Sequence, residues 1–231
     1  MAISAEATVA NKATAAGAPL LEPGDRLTRD EFERRYQRMP HVKKAELIEG
    51  IVYMPSPLRN EQHAQPHAML CTWLGTYVAE TPGVKTGVNA TVRLDLDNEP
   101  QPDLVLFKSP AQGGQTRISQ DDYIEGAPEL AVEIVGSSAA YDLHQKKGAY
   151  RRNGVREYLA WITTEGRVVW WQLRLGEYQE IIPDAGGLLK SNEFPGLWLD
   201  TRALLRSDLK RVLATLRRGL RSPGHRAFVA R

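Results

Sequence analysis

The chain has 231 residues, 42% of them hydrophobic, and a net charge of +2, enough apolar material for one folded domain with extensions. No run approaches the roughly 18 apolar residues of a membrane-spanning helix and the N-terminus lacks a basic-then-apolar pattern, so a cytoplasmic location is expected. Cys71 is the single cysteine, which excludes an intramolecular disulfide and a cysteine-cluster zinc site.

Residues 1 to 24 are rich in alanine without an amphipathic period and read as a mobile lead-in. "LTRDEFERRY" then starts a helix: Thr28 and Glu31 have capping-box spacing, Leu27 and Phe32 staple spacing, and the helix is expected to end near Pro40. "AELIEGIVYMPSP" alternates like a hairpin turning at Glu49-Gly50. Residues 61 to 80 predict a core helix with His67, Leu70, Leu74, Tyr77 and Val78 on one face, and Cys71 packed among Met69, Leu70 and Trp73. Three strands are expected next, in "VNATVRLDLD", "PDLVLF" and "ELAVEIV", the last two separated by a loop around "AQGGQTRISQDDYIEG".

"AYDLHQKKGAYRRNG" predicts a helix closed by Gly154, and "VREYLAWI" a strand. The expected core order is therefore α-β-β-β-α-β. Further strands in "RVVWWQLRLGEYQEII" and "LKSNEFPGLWLD" are expected to continue the sheet, with Trp170 and Trp171 on opposite sides, one packed and the other placed for a base or a dimer contact. An amphipathic C-terminal helix would carry Leu205, Leu209, Val212, Leu213, Leu216 and Leu220. Residues 201 to 231 hold nine Lys or Arg against Asp208 alone, leaving 21 basic against 27 acidic residues in the first 200. Such a tail is either a solvated helix face or an attractor for an anionic partner.

Two predicted strands keep one acid each among apolar neighbours, Asp103 and Glu133. A strand carboxylate is costly to desolvate unless paired, hydrogen-bonded or bound to a cation, so the two are candidate ligands for a hard ion such as magnesium or manganese. Such an ion polarises a phosphoryl oxygen and acidifies its bound water. Lys146 and Lys147 follow on the next helix, within reach to stabilise developing negative charge. Glu46 and Glu49 in the hairpin are candidate outer-shell ligands, although turn chemistry and solvent exposure explain Glu49 equally well. His63 and His67 have the i, i+4 spacing of a metal pair without an HExxH pattern, and packing is the competing reading for His67. Asp142 suits a helix start, and Tyr150 shares the Lys146 face. Ser137 and Ser138 lack a GxSxG turn, and no Ser-His-Asp arrangement is legible.

"AELIEGIVYMPSP", "QPDLVLF", "PELAVEIVGSS" and above all "YDLHQKKGAYRRNGVREYLAWI" make residues 27 to 200 resemble the Uma-two family of bacterial restriction endonucleases, within the PD-(D/E)xK nuclease superfamily. The strongest stretch carries Asp142, Lys146, Tyr150, Gly154, Val155, Glu157 and Tyr158 in order. The resemblance implies a restriction-endonuclease-like mixed sheet of the α/β (α+β) class over residues 25 to 200, followed by a basic helical tail. It implies a metal-dependent nuclease in which Asp103 is the first acid and Glu133 the second. The general pattern puts lysine two positions after the second acid, where this chain has Val135; the family's helix supplies Lys146 instead, with Lys147 the second choice.

Two functions of different class follow. In the first, a magnesium- or manganese-dependent endonuclease cuts DNA: Asp103 and Glu133 hold the ion, Lys146 assists the attacking water, and the basic tail adds phosphate contacts. In the second, a nucleic-acid-binding or protein-interaction module keeps the fold without turnover, as Val135 suggests. A homodimer through the C-terminal helix would place two sites on two strands.

Overall fold

The computed structural model describes residues 19–54, 59–136 and 141–230. Helix α1 (Arg29–Tyr36) starts after Thr28 as expected, but the capping box does not form. Thr28 makes no side-chain cap, and Glu31 bonds forward to Arg34 and Arg35 at 2.8 and 2.5 Å. Leu27 and Phe32 do share one apolar cluster, with Met39, Leu47 and Val52. That cluster also buries Leu21, so the expected lead-in is anchored near its end; residues 1–18 lie outside the described residues. Strands β1 (Glu46–Ile48) and β2 (Ile51–Tyr53) form the hairpin. Glu49 and Gly50 both take left-handed φ, 55° and 70°, the requirement of a type I′ turn.

A π-helical turn, Asn60–Ala64, leads into α2 (Gln65–Ala79). Pro66 has no N–H to donate, and the ladder settles into α-helix only around it. Met69, Leu70, Trp73, Leu74 and Tyr77 form the buried stripe, and Cys71 packs at its edge. The strand expected in "VNATVRLDLD" is divided. Asn89, at φ 50°, turns the chain after β3 (Val84–Val88), and only β4 (Val92–Arg93) lies beyond it. After β5 (Leu104–Lys108), the expected loop holds β6 (Arg117–Ile118) and β7 (Ile124–Glu125), which join β4 in a small sheet of order β4-β7-β6.

Strand β8 (Leu130–Val135) is followed by a second π-helical turn, Tyr141–Lys146, continuous with α3 (Lys147–Arg152), and Gly154 closes the helix at φ 82°. Strands β9 (Glu157–Ile162), β10 (Arg167–Arg174) and β11 (Glu177–Glu180) complete a six-stranded sheet of order β11-β10-β9-β8-β5-β3. Within this sheet only β8 and β9 are parallel. A parallel neighbour needs a crossover, and the turn with α3 provides it, so the sequence joining the central strands is the one that carries Lys146. Residues of β5, β8 and β9 are buried throughout, as expected of strands covered on both faces.

Two expectations fail in the C-terminal third. The stretch "LKSNEFPGLWLD" does not extend the sheet: β12 (Leu188–Lys190) and β13 (Trp198–Asp200) pair with each other, placing Leu189 and Leu199 in the core that α2 shares. The single amphipathic helix is three: α4 (Thr201–Leu205), α5 (Leu209–Leu220) and α6 (Pro223–Val229). Ser207 at φ 56° and an Asp208 cap restart the chain at α5, and a Ser222 cap with Pro223 restarts it at α6.

The core on one side of the sheet joins α2, α4, α5 and the β12–β13 hairpin to Leu106, Val132, Leu159 and Trp170. The core on the other side lies under α3 and contains Ala131, Val135, Tyr150, Tyr158 and Val169. Trp170 is fully buried and Trp171 partly exposed, as the alternation required. Val212 and Leu216 of α5 are buried within this chain, while Leu209, Leu213 and Leu220 are partly buried and Leu205 is exposed. No helix among the described residues is long and apolar enough to cross a membrane.

Candidate active site

The antiparallel register pairs Leu104 with Val132; extended by one residue it sets Asp103 opposite Glu133. Opposed residues project to the same face, so two acids 30 positions apart in sequence become neighbours. Both are 3% exposed. Asp103 Oδ2 accepts a 2.7 Å hydrogen bond from the Ile134 backbone N–H, which ties the acid to the strand of its partner.

Lys146 enters from the crossover and is 2% exposed. Its Nζ lies 2.9 Å from Glu133 Oε1, 2.9 Å from Glu46 Oε1 and 3.6 Å from Asp142 Oδ1. Burial opposes the charged form, but the carboxylates of Glu133 and Glu46 outweigh it and hold the lysine pKa well above its ordinary value. Tyr150 donates from its hydroxyl to the same Glu133 oxygen at 2.8 Å, and the Gln101 backbone N–H donates to Glu46 at 2.7 Å. Asp142 is itself buried, and its backbone carbonyl accepts from the Tyr158 hydroxyl. The structure thus brings Asp103, Glu133, Lys146, Glu46, Asp142 and Tyr150 into one cluster.

The N-terminal end of α2 closes the Asp103 side. His67 Nε2 is 3.2 Å from the Asp103 carbonyl oxygen, and His63 Nε2 is 3.5 Å from Asp103 Oδ1, with the two imidazoles stacked at 5.7 Å. His67 therefore contacts the backbone of the acid and not its carboxylate. Burial pushes the His63 pKa down, although Asp103 opposes the shift. Lys44 Nζ stands 3.8 Å from Asp103 Oδ1. Lys147, the second lysine candidate, is not part of the cluster; it lies over the Trp171 ring. Glu49 pairs with Arg152, and Ser137 and Ser138 lie outside the described residues.

Three further groups border the cluster. Lys44 sits just before the hairpin with no pattern to mark it, and His63 is marked in the sequence only by its i, i+4 spacing to His67. Tyr141 stacks on Tyr53 at 4.1 Å, with Lys146 Nζ 5.4 Å from its ring centroid. Its hydroxyl is buried and has no hydrogen-bond partner among the described residues. Burial, followed by the charge of Glu46, drives its pKa far above the ordinary tyrosine range.

Among the described residues no three His, Cys, Asp or Glu side chains form a ready-made ion site. The chemistry of the donors still fits a hard divalent cation, because magnesium is commonly held by one or two carboxylates and keeps several waters. Asp103 and Glu133 would be those ligands. Counted formally, four carboxylates (Glu46, Asp103, Glu133 and Asp142) face two lysines (Lys44 and Lys146). The excess of two negative charges is what one divalent ion balances.

A family model described as Uma2, "Putative restriction endonuclease", matches residues 29–202, a span that holds the whole sheet and every residue of the cluster. A search of curated proteins finds no match. Among solved structures the chain is similar to "a putative nuclease belonging to DUF820 from Anabaena variabilis ATCC 29413", with a TM-score of 0.52 and 15% identity over 79% of this chain and 97% of that one. At that identity the likeness speaks for the fold.

Proposed function

This chain belongs to the Uma2 family, and from that premise we propose that it is a metal-dependent endonuclease hydrolysing phosphodiester bonds, with DNA as substrate. The observation that carries the reading is the convergence of Asp103 and Glu133, brought opposite by strand register, with the buried ammonium of Lys146 on the second acid. A magnesium or manganese ion held by Asp103 and Glu133 would supply Lewis-acid polarisation and an acidified water.

The protein's own groups have distinct parts. Asp103 is fixed by the Ile134 N–H, so it is positioned before any ligand arrives. Tyr150 and Lys146 both hold Glu133 Oε1 and set the orientation of that carboxylate. Because its neighbours keep Lys146 protonated, its role is that of a charged donor that orients water or stabilises negative charge, and not that of a base. Glu46 and Asp142 hold the ammonium near the acids. The exposed Lys and Arg residues of α4 to α6 would add sequence-independent phosphate contacts.

A second reading, a binding module without turnover, is favoured by Val135. It is fully buried in the apolar core under α3, so no side chain from the usual lysine position can serve. Against it stands Lys146, whose ammonium reaches the same carboxylate from the crossover.

The test is cleavage of supercoiled plasmid by wild type and Asp103→Ala, in magnesium, manganese or chelator, with circular dichroism to show that the variant is folded. Wild type should cut only with metal, and the variant should lose at least about 100-fold, beyond the 10- to 100-fold typical of outer-shell changes. Full activity in folded Asp103→Ala would remove the site assignment. DNA binding by wild type without cleavage in any metal would favour the module.

A further inference from the structure

The helical segment that delivers Lys146 has an outer face with chemistry of its own. While Asp142, Lys146 and Tyr150 are buried, Leu143, His144, Lys147 and Arg151 line an open cleft of about 300 Å³, bounded across the sheet edge by Glu177 and Tyr178. Three basic side chains thus share one hollow with a single carboxylate. That carboxylate, on Glu177, is exposed and pairs with Arg151 at 2.9 Å, and the same arginine nitrogen donates to the Gly176 carbonyl. An exposed pair of this kind is held weakly, so Arg151 can exchange Glu177 for an incoming anion.

Lys147 is the distinctive member. Its ammonium lies 3.8 Å from the centroid of the Trp171 ring, and no carboxylate of the described residues is within ion-pair distance. Trp171 in turn stacks on the buried Tyr158 ring at 5.4 Å and 17°, so the floor that positions the ammonium is fixed by the core. Partial burial works against the charge of Lys147 more than the carboxylate of Glu180, beyond ion-pair distance, supports it, which makes an incoming anion a favourable partner. A cation held on an aromatic surface in an open groove suits an elongated phosphate-bearing chain, since the chain can enter and leave along the groove.

We propose that this cleft is a phosphate subsite for the nucleic-acid strand, with Lys147 and Arg151 as the contacts and His144 at the rim. The proposal rests on the nuclease reading for the direction of the strand, which runs from the cleft to Asp103 and Glu133.

The experiment is fluorescence anisotropy of a labelled DNA duplex on the full chain, with calcium replacing magnesium, over a series of salt concentrations. Wild type, Lys147→Ala, Arg151→Ala and the double variant are compared, with the exposed Arg167→Ala at the start of β10 as control. Each cleft variant should weaken binding several-fold and lower the salt slope by about 0.9 per lost phosphate contact. In magnesium, KM should rise with kcat at saturating DNA held within about 2-fold, because the reacting centre is untouched. A double variant with wild-type affinity and slope overturns the subsite, and so does a wild type that binds no DNA, which would point to an acidic protein surface. Wild type that binds through the cleft but never cleaves would defeat the nuclease reading and support the subsite; cleavage with unchanged KM in the double variant would do the reverse.

Discussion

At the scale of the residue, Lys146 decides the character of the site. Three carboxylates gather on one ammonium that water scarcely reaches. Removing one partner of a buried ion pair strands the others, at a cost of about 3–5 kcal/mol. Lys146→Met, close in shape but neutral, should therefore lower the urea midpoint by that equivalent; an unchanged midpoint would show that the acids are neutralised some other way. Asp103, Glu133 and Lys146 could be read from sequence because an acid in an apolar strand is conspicuous and a helix lysine close behind it completes a known chemistry. Tyr141 could not, since a tyrosine beside a helix start is indistinguishable from core until the fold shows its hydroxyl buried near Glu46 with no hydrogen-bond partner among the described residues. Lys44 is invisible for a similar reason, as only the fold brings a residue ahead of the first hairpin to Asp103.

At the scale of the element, legibility followed period and length. The central strands β5, β8 and β9 are unbroken apolar runs and were placed correctly, as was the Glu49-Gly50 turn. The two-residue strands β4, β6 and β7 are too short to show alternation, and their sheet went unseen. The breaks between α4, α5 and α6 were signalled by Asp208 and by Ser222-Pro223, but the leucine stripe running through them read as one helix. Joining α5 to the β12–β13 hairpin requires a bare backbone at Gly219, where an added Cβ would stand 2.1 Å from the Gly196 carbonyl oxygen and 2.9 Å from Trp198. Gly219→Ala gains about 1 kcal/mol of helix propensity and should still destabilise the protein by roughly 1–3 kcal/mol through overpacking. Thermal unfolding checks the sign: a raised midpoint would mean that the hairpin yields without cost.

At the scale of the whole molecule, the sheet separates two chemistries. The acids and Lys146 gather where the crossover helix covers one face, while the described Lys and Arg residues of α4 to α6 are exposed on the side of the sheet that α2 covers. His225 of α6 bonds Thr81, next to the C-terminal end of α2, whereas His63 and His67 meet Asp103 at the other end. Helix α2 has 15 residues, so about 22 Å separates these two regions. The ammonium inside the acid cluster has a consequence for the life of the protein. Domains built around a structural ion unfold when it is withdrawn; here the internal ammonium of Lys146 already offsets part of the repulsion among the carboxylates. Excess chelator should shift the midpoint of thermal unfolding by less than about 2 °C, equivalent to under about 1 kcal/mol for a chain of this size; a larger fall would show that an ion is part of the architecture. On the proposed metal-dependent reading, such a chain would fold while divalent ions are scarce, its abundance set by folding and its activity set separately by ion supply.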